Sequence, residues 1–224
     1  MIDVVVSLLA GMVFGLALAA PPGPMNAVIA EEAVVRGRLA GARAGLGAAT
    51  ADFVFFLLAL FGVVTFIEQF QRLRGVMVLV GGCLMLYYAY GAIEDVQNTY
   101  TADTAPAEGK GFQKAFVLAL TNPYQIVFWL TVGVGLLEPG RIDVLAEASA
   151  SLAGVLVVET GSPALLVGLF AGIGLWVTAF PAALAAAKAR IDTLAPVVAY
   201  LSAAVLAGFG CYFLYDGAAT LGVV

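Results

Sequence analysis

Long apolar stretches alternate along the chain with short polar ones. Val4–Ala30, Gly75–Ile93, Ala115–Leu137, Gly161–Ala187 and Thr193–Tyr215 hold no Asp, Glu, Lys or Arg, and Ala44–Ile67 holds a single one, Asp52. A helix needs about 20 apolar residues to cross a bilayer. The pattern therefore predicts an all-α membrane protein of six transmembrane helices. One membrane domain would occupy residues 1–224, with half-repeats of about 1–95 and 112–224 around a polar linker, 96–111. Two connections are longer than the rest. Gln97–Gly111 is polar and marked by Gly and Pro. Glu138–Thr160 contains the apolar run Leu152–Val158, which reads as an interfacial or lead-in helix too short to be a further span.

Composition agrees with the pattern and narrows the function classes. Of 224 residues, 62% are hydrophobic and 11% charged, against about 25% charged in an ordinary soluble domain. A soluble enzyme, a nucleic-acid-binding domain and a disordered linker are excluded on that ground, and the net charge of −5 disfavours nucleic acid as a partner. The acidic loops, poor in Lys, suit a high-salt cytoplasm. With no His in the chain, haem ligation and imidazole relays are out, and no cofactor is expected. Cys83 and Cys211 sit in apolar stretches and read as small buried hydrophobes. No basic segment precedes the first apolar stretch, which reads as a membrane helix and not a cleaved signal.

Lys and Arg near the span ends set orientation. The loops after spans 1, 3 and 5 hold seven (Arg36, Arg38, Arg43, Lys110, Lys114, Lys188, Arg190), and those after spans 2 and 4 hold three (Arg72, Arg74, Arg141). The first set is placed in the cytoplasm and both termini outside.

An internal repeat emerges from the small residues. Ala44-Gly45-Leu46-Gly47 answers Ala171-Gly172-Ile173-Gly174, and Phe53 answers Phe180, at an offset of 127. Gly82-Cys83 and Leu86-Tyr87 answer Gly210-Cys211 and Leu214-Tyr215 at 128. Halves of three spans each must lie in opposite orientations, the inverted-repeat plan of many secondary transporters. The first and fourth spans then correspond, and each carries a strong helix breaker: Pro21-Pro22-Gly23-Pro24 in one, Asn122-Pro123 in the other. Proline removes a backbone donor and clashes with the preceding turn. Irregular backbone at membrane depth is tolerated only inside protein or against a water-filled cavity, so paired interruptions point to a transport site.

Pro22-Gly23-Pro24, then Gly37, Gly41, Gly45 and Gly47, then Asp52, resembles the signature of the lysine exporter superfamily (LysE/RhtB type). Asn122-Pro123 and the Gly-rich third span ending in Leu86-Tyr87 fit the same family. The resemblance covers essentially the whole chain and implies a small six-span exporter of amino acids or related metabolites, driven by the proton or ion gradient, in the plasma membrane of a prokaryote. Tyr124 stands where many members have a polar residue, and Glu31-Glu32 is not a general family feature. The superfamily also contains cadmium exporters and membrane thiol-disulfide carriers.

Asp52 is the sharpest candidate. It lies about 11 residues from Gly41, or about 16 Å at 1.5 Å per residue, close to mid-membrane. A charged Asp there costs several kcal/mol unless paired or protonated, which suits it to carry a coupling proton; the alternative is a structural hydrogen bond to a neighbouring helix. Pro24 suits the first position of a second half-helix, leaving the amides of Met25 and Asn26 free to meet a substrate carboxylate. Asn26, Asn122 and, one turn on, Gln125 offer donors and acceptors for an ammonium or carboxylate; the two asparagines could instead repair backbone groups freed by the prolines. Pro22, Gly23, Pro24, Met25, Asn26, Asn122, Pro123 and Gln125 thus form the expected substrate site, with no metal in it.

Glu31 and Glu32 read as a solvated span end, with Glu32 and Arg36 an i,i+4 surface pair. The alternative is a mouth that attracts cations. Gly37, Gly41 and Gly45 stripe one helix face for close packing, and such faces permit a homodimer. Tyr87, Tyr88, Tyr90, Tyr100, Trp129 and Trp176 read as interfacial or core aromatics. Among competing functions, a disulfide carrier needs thiols at the breaks, and a soft-metal exporter wants thiolates or imidazoles; the sequence offers two cysteines elsewhere and no His. A scaffold would leave an intramembrane Asp beside broken helices unexplained. The expected partners are an amino-acid substrate and the lipid bilayer. The expected function is transport and not enzyme catalysis.

Overall fold

The computed structural model describes residues 2–61, 71–101, 110–143, 157–191 and 193–222. Its helices are α1 (Ile2–Ala19), α2 (Pro24–Arg36), α3 (Arg38–Leu60), α4 (Gln71–Thr101), α5 (Gly111–Leu120), α6 (Pro123–Phe128), α7 (Val134–Leu137), α8 (Pro163–Lys188) and α9 (Leu194–Thr220). One π-helical turn, Trp129–Gly133, joins α6 to α7. Strands β1 (Gly140–Asp143) and β2 (Val157–Thr160) form an antiparallel pair with Arg141 opposite Glu159. Among the described residues, four helices are long and apolar enough to cross a bilayer, or five when α1 and α2 count as one bent span. The expected span Ala115–Leu137 is built in pieces, from α5, α6, the π turn and α7.

The first break is deep. α1 ends at Ala19, Gly23 is fully extended, and α2 leaves at 84° to α1. α2 then runs through the centre of the protein, where Ala27 to Val35 are buried without interruption. It ends at Gly37, whose φ of 93° lies in the left-handed region open to glycine. Gly37 therefore turns the chain from α2 into α3 and is not part of a packed glycine stripe, since no described residue comes within 4 Å of a Cβ built there. Gly41 and Gly45 do pack, against Pro181 and Val177 of α8.

Small residues set the other helix contacts. Gly11 and Gly15 of α1 lie against the Leu165 and Leu169 carbonyls of α8, and Gly168 and Gly172 of α8 lie against those of Leu8 and Met12. A Cβ at any of these four positions would collide with backbone. Gly47 of α3 meets the Phe112 carbonyl of α5, and Gly82 of α4 meets Gly210 of α9. In an apolar medium such close backbone approach is what holds helices together, and here these faces are used within one chain.

The lead-in helix expected at Leu152–Val158 is overturned at its end. Val157 and Val158 belong to β2, whose alternating burial hides Val158 and Thr160. A short β-branched run with period-two burial pairs more readily as a strand. Residues 152–156 lie outside the described residues, as do 62–67 of the second expected span and 102–109 of the linker. Cys83 and Cys211 are exposed on the outer faces of α4 and α9, not buried as expected.

Candidate functional site

The 84° bend and the interruption at Asn122-Pro123 open onto one cavity of about 370 Å³. Pro22, Gly23, Pro24, Met25 and Asn26 line it from the first break, Asn122 and Gln125 from the other, and Asp52 from α3. The remaining wall is apolar, including Leu18, Ile29, Phe128, Ile173 and Phe209. Among the described residues, Asp52 is the only titratable side chain in that lining. Pro123, the eighth expected substrate residue, opens α6.

Asp52 is buried, at 6% exposure, and its Oδ1 accepts two hydrogen bonds, one from α6 and one from the π turn. Gln125 Nε2 donates at 2.5 Å and the Trp129 indole N–H at 3.0 Å. The π turn begins at Trp129, and Gly133 gives its ring room, since a Cβ there would lie 2.5 Å from it. Gln125 Oε1 is buried and accepts no hydrogen bond from the described residues, so it can take one from a ligand.

Asn26 mends the first break. Its Nδ2 donates to the Ala19 carbonyl at 2.7 Å and the Pro21 carbonyl at 2.8 Å, while Oδ1 accepts from the Trp176 indole at 3.0 Å. Both amide protons are therefore committed to backbone, the repair role anticipated as its alternative. The first helical bond of α2 runs from Ala27 N–H to the Gly23 carbonyl at 2.9 Å. The Met25 and Asn26 amides precede it, in the helix's first turn at the cavity wall. Between α5 and α6 the Asn122 carbonyl accepts from Gln125 and Ile126 N–H at 3.1 and 3.2 Å, restarting a helix at once.

The sequence profile described as "LysE type translocator" matches residues 16–217. The chain belongs to the LysE-type translocator family. Among curated relatives, YcgF of Bacillus subtilis, named as a candidate amino acid efflux protein, is 33% identical over 54% of this chain and 59% of its own length. The uncharacterized membrane protein YahN of Escherichia coli is 28% identical over 50% and 52%. A leucine efflux protein of Salmonella choleraesuis is 28% identical over 52% and 57%. The chain thus spans just over half the length of these relatives in the matched stretch. No solved structure matches it.

Two features of this LysE-type chain escaped the sequence. Trp129 and Trp176 pack in the core as expected, but their indole N–H groups also hydrogen-bond Asp52 and Asn26, which was not foreseen. The usable signal was scarcity: a buried indole N–H needs an acceptor, and apolar spans offer few beyond Asp52 and Asn26. Glu31 and Glu32 are the second. They are 0% and 1% exposed, not a solvated span end, because the bend turns α2 inward. Glu32 does pair with Arg36 at 3.2 Å, but inside the protein, and Glu31 pairs with Lys114 of α5 at 3.5 Å.

Proposed function

We propose that this chain is a secondary-active exporter of amino acids with neutral, apolar side chains, coupled to the proton gradient. The observation that carries the reading is the cavity itself, where an open helix N-terminus, two amide side chains and one carboxylate meet an otherwise apolar wall. A substrate carboxylate suits the Met25 and Asn26 amides, where the partial positive charge of α2 collects. The substrate ammonium suits Gln125 Oε1 and Asp52. Among the described residues the lining holds no cation for an acidic side chain, and its one carboxylate is needed by the ammonium, so a charged side chain would be left unpaired. The amino acid and leucine efflux named for two relatives agree with this.

In this mechanism Asp52 serves substrate and proton in turn. Charged, it holds the ammonium and the Gln125 and Trp129 donors. Protonated, it loses the attraction for the ammonium, so proton entry drives substrate release to the outside. Pro22, Gly23, Pro24 and Pro123 keep the backbone open around this exchange, Asn26 holds the first break in shape, and Asn122 offers its side chain to the substrate.

The architecture behind alternating access is six spans in an inverted repeat, with α1–α2 as the first and α5–α7 as the fourth. Helix pairing supports it: the first span packs on the fifth, the fourth on the second, and the third on the sixth. That reciprocal set is what a pseudo-two-fold axis in the membrane plane requires. The halves are about 1–95 and 112–224, the termini lie outside the plasma membrane, and Arg36 and Lys114 lie toward the cytoplasmic side. Exchange of labelled leucine in proteoliposomes tests the substrate class. Unlabelled isoleucine, valine and methionine should compete, while lysine, arginine and glutamate should not. Equal competition by the charged amino acids would refute it.

A further inference from the structure

Glu31, Glu32, Arg36 and Lys114 form a buried ionic cluster outside the cavity that the transport chemistry above does not use. Two pairs build it: Glu31 with Lys114 at 3.5 Å, and Glu32 with Arg36 at 3.2 Å. Both carboxylates are essentially inaccessible, and the two cations are only 14% and 12% exposed. The Lys114 ammonium also sits 5.8 Å from the Tyr88 ring centroid, so it ties α2 and α5 to α4. Gly111 makes space for this arrangement, because a Cβ there would lie 2.8 Å from Glu32 Cγ. The cluster therefore clamps the C-terminal half of α2 between its neighbours.

Its position relative to the cavity gives it a role. The cavity touches α2 from Pro24 to Asn26 and at Ile29. From Ala30 to Val35 the helix is buried against protein, and the charged cluster lies in that sealed stretch. Any path from the cavity along α2 to Arg36 must part these helices. Buried charges separate at high cost when their partners are lost, yet they re-pair at little cost if other charges or water replace them. Such a contact favours two discrete arrangements, closed or opened to water.

We propose that the Glu31–Lys114 and Glu32–Arg36 pairs are an ionic gate that closes the cavity on its cytoplasmic side. The word cytoplasmic rests on the orientation proposed above; the gate itself rests on the geometry of α2.

Accessibility of a cavity cysteine tests it. Ala48→Cys, at the cavity wall, is introduced into full-length protein carrying Cys83→Ala and Cys211→Ala. Its labelling by a membrane-impermeant maleimide is timed in inside-out and right-side-out vesicles. Lys114→Met should accelerate labelling from the cytoplasmic face about tenfold, as a closed state that excludes the reagent gives up population. Arg36→Gln, which breaks the other pair, should do the same to a smaller extent. The exchange Glu31→Lys with Lys114→Glu should restore slow labelling. Parent-like rates for both single variants on both faces would overturn the gate, as would fast labelling in the exchanged pair. Acceleration only from the outer face would keep the gate and refute the orientation. Acceleration as expected without any amino-acid exchange would keep the gate and refute the substrate reading.

Discussion

The two interruptions, at Pro21–Pro24 and at Asn122-Pro123, break the chain in different ways. Three prolines and a glycine in Pro21–Pro24 produce an 84° bend, a buried 13-residue helix beyond it, and backbone carbonyls that Asn26 must satisfy. One proline after Asn122 interrupts the helix only briefly, because the Asn122 carbonyl starts the next turn. The irregularity there moves downstream into the π turn, which aims Trp129 at Asp52. A π turn inserts one residue into a helical register and often marks a functional site. The first break thus contributes a helix end, and the second contributes side chains. A site with both kinds of group can hold the two ends of a zwitterion, which two equal breaks would do less well.

The largest effect on this division should come from Asn26→Ala. It strips the donors from the Ala19 and Pro21 carbonyls and the acceptor from Trp176, at a cost of about 2 kcal/mol. The measurement is thermal unfolding in detergent, and an unchanged midpoint would mean that the first break does not depend on this repair. Trp129→Phe keeps the ring and removes one of two donors to Asp52, so about 1 kcal/mol is expected in the same assay. Asn122→Ala retains the carbonyl that restarts the helix, so the helix beyond it should still form. In leucine exchange, however, its apparent affinity should fall about tenfold, the worth of one hydrogen bond to a charged group. Gly23→Ala should matter least, within about 0.5 kcal/mol, since Gly23 has extended backbone and open space at its Cβ position.

Much of the site was legible because membrane burial makes rare residues informative. Asp52 stood out as the one charge in an apolar stretch, and the prolines marked both interruptions; one cavity is lined by Asp52 together with Pro22, Gly23, Pro24, Met25, Asn26, Asn122 and Gln125. What stayed hidden depended on direction in space. Glu31 and Glu32 looked like a span end because a linear reading carries the first span straight to the membrane surface. The bend instead buries them, and Lys114 is supplied from far along the chain. The glycines of α1 and α8 form i,i+4 pairs in sequence, Gly11 with Gly15 and Gly168 with Gly172, yet nothing local said that the two pairs meet each other. The short β pairing was hidden for the same reason, since each strand has four residues and its partner lies across a long connection.

In the mechanism we propose, the cavity moves an amino acid in exchange for a proton taken by Asp52. Proteoliposomes loaded with leucine, and given an imposed pH gradient, test it most directly when parent protein and Asp52→Asn are compared at equal membrane content. The account predicts that the parent transports leucine against its concentration gradient only while the pH gradient lasts. Asp52→Asn should insert normally and lose that uphill transport. Uphill transport by Asp52→Asn at the parent rate, or leucine movement in the parent that ignores the pH gradient, would contradict the account.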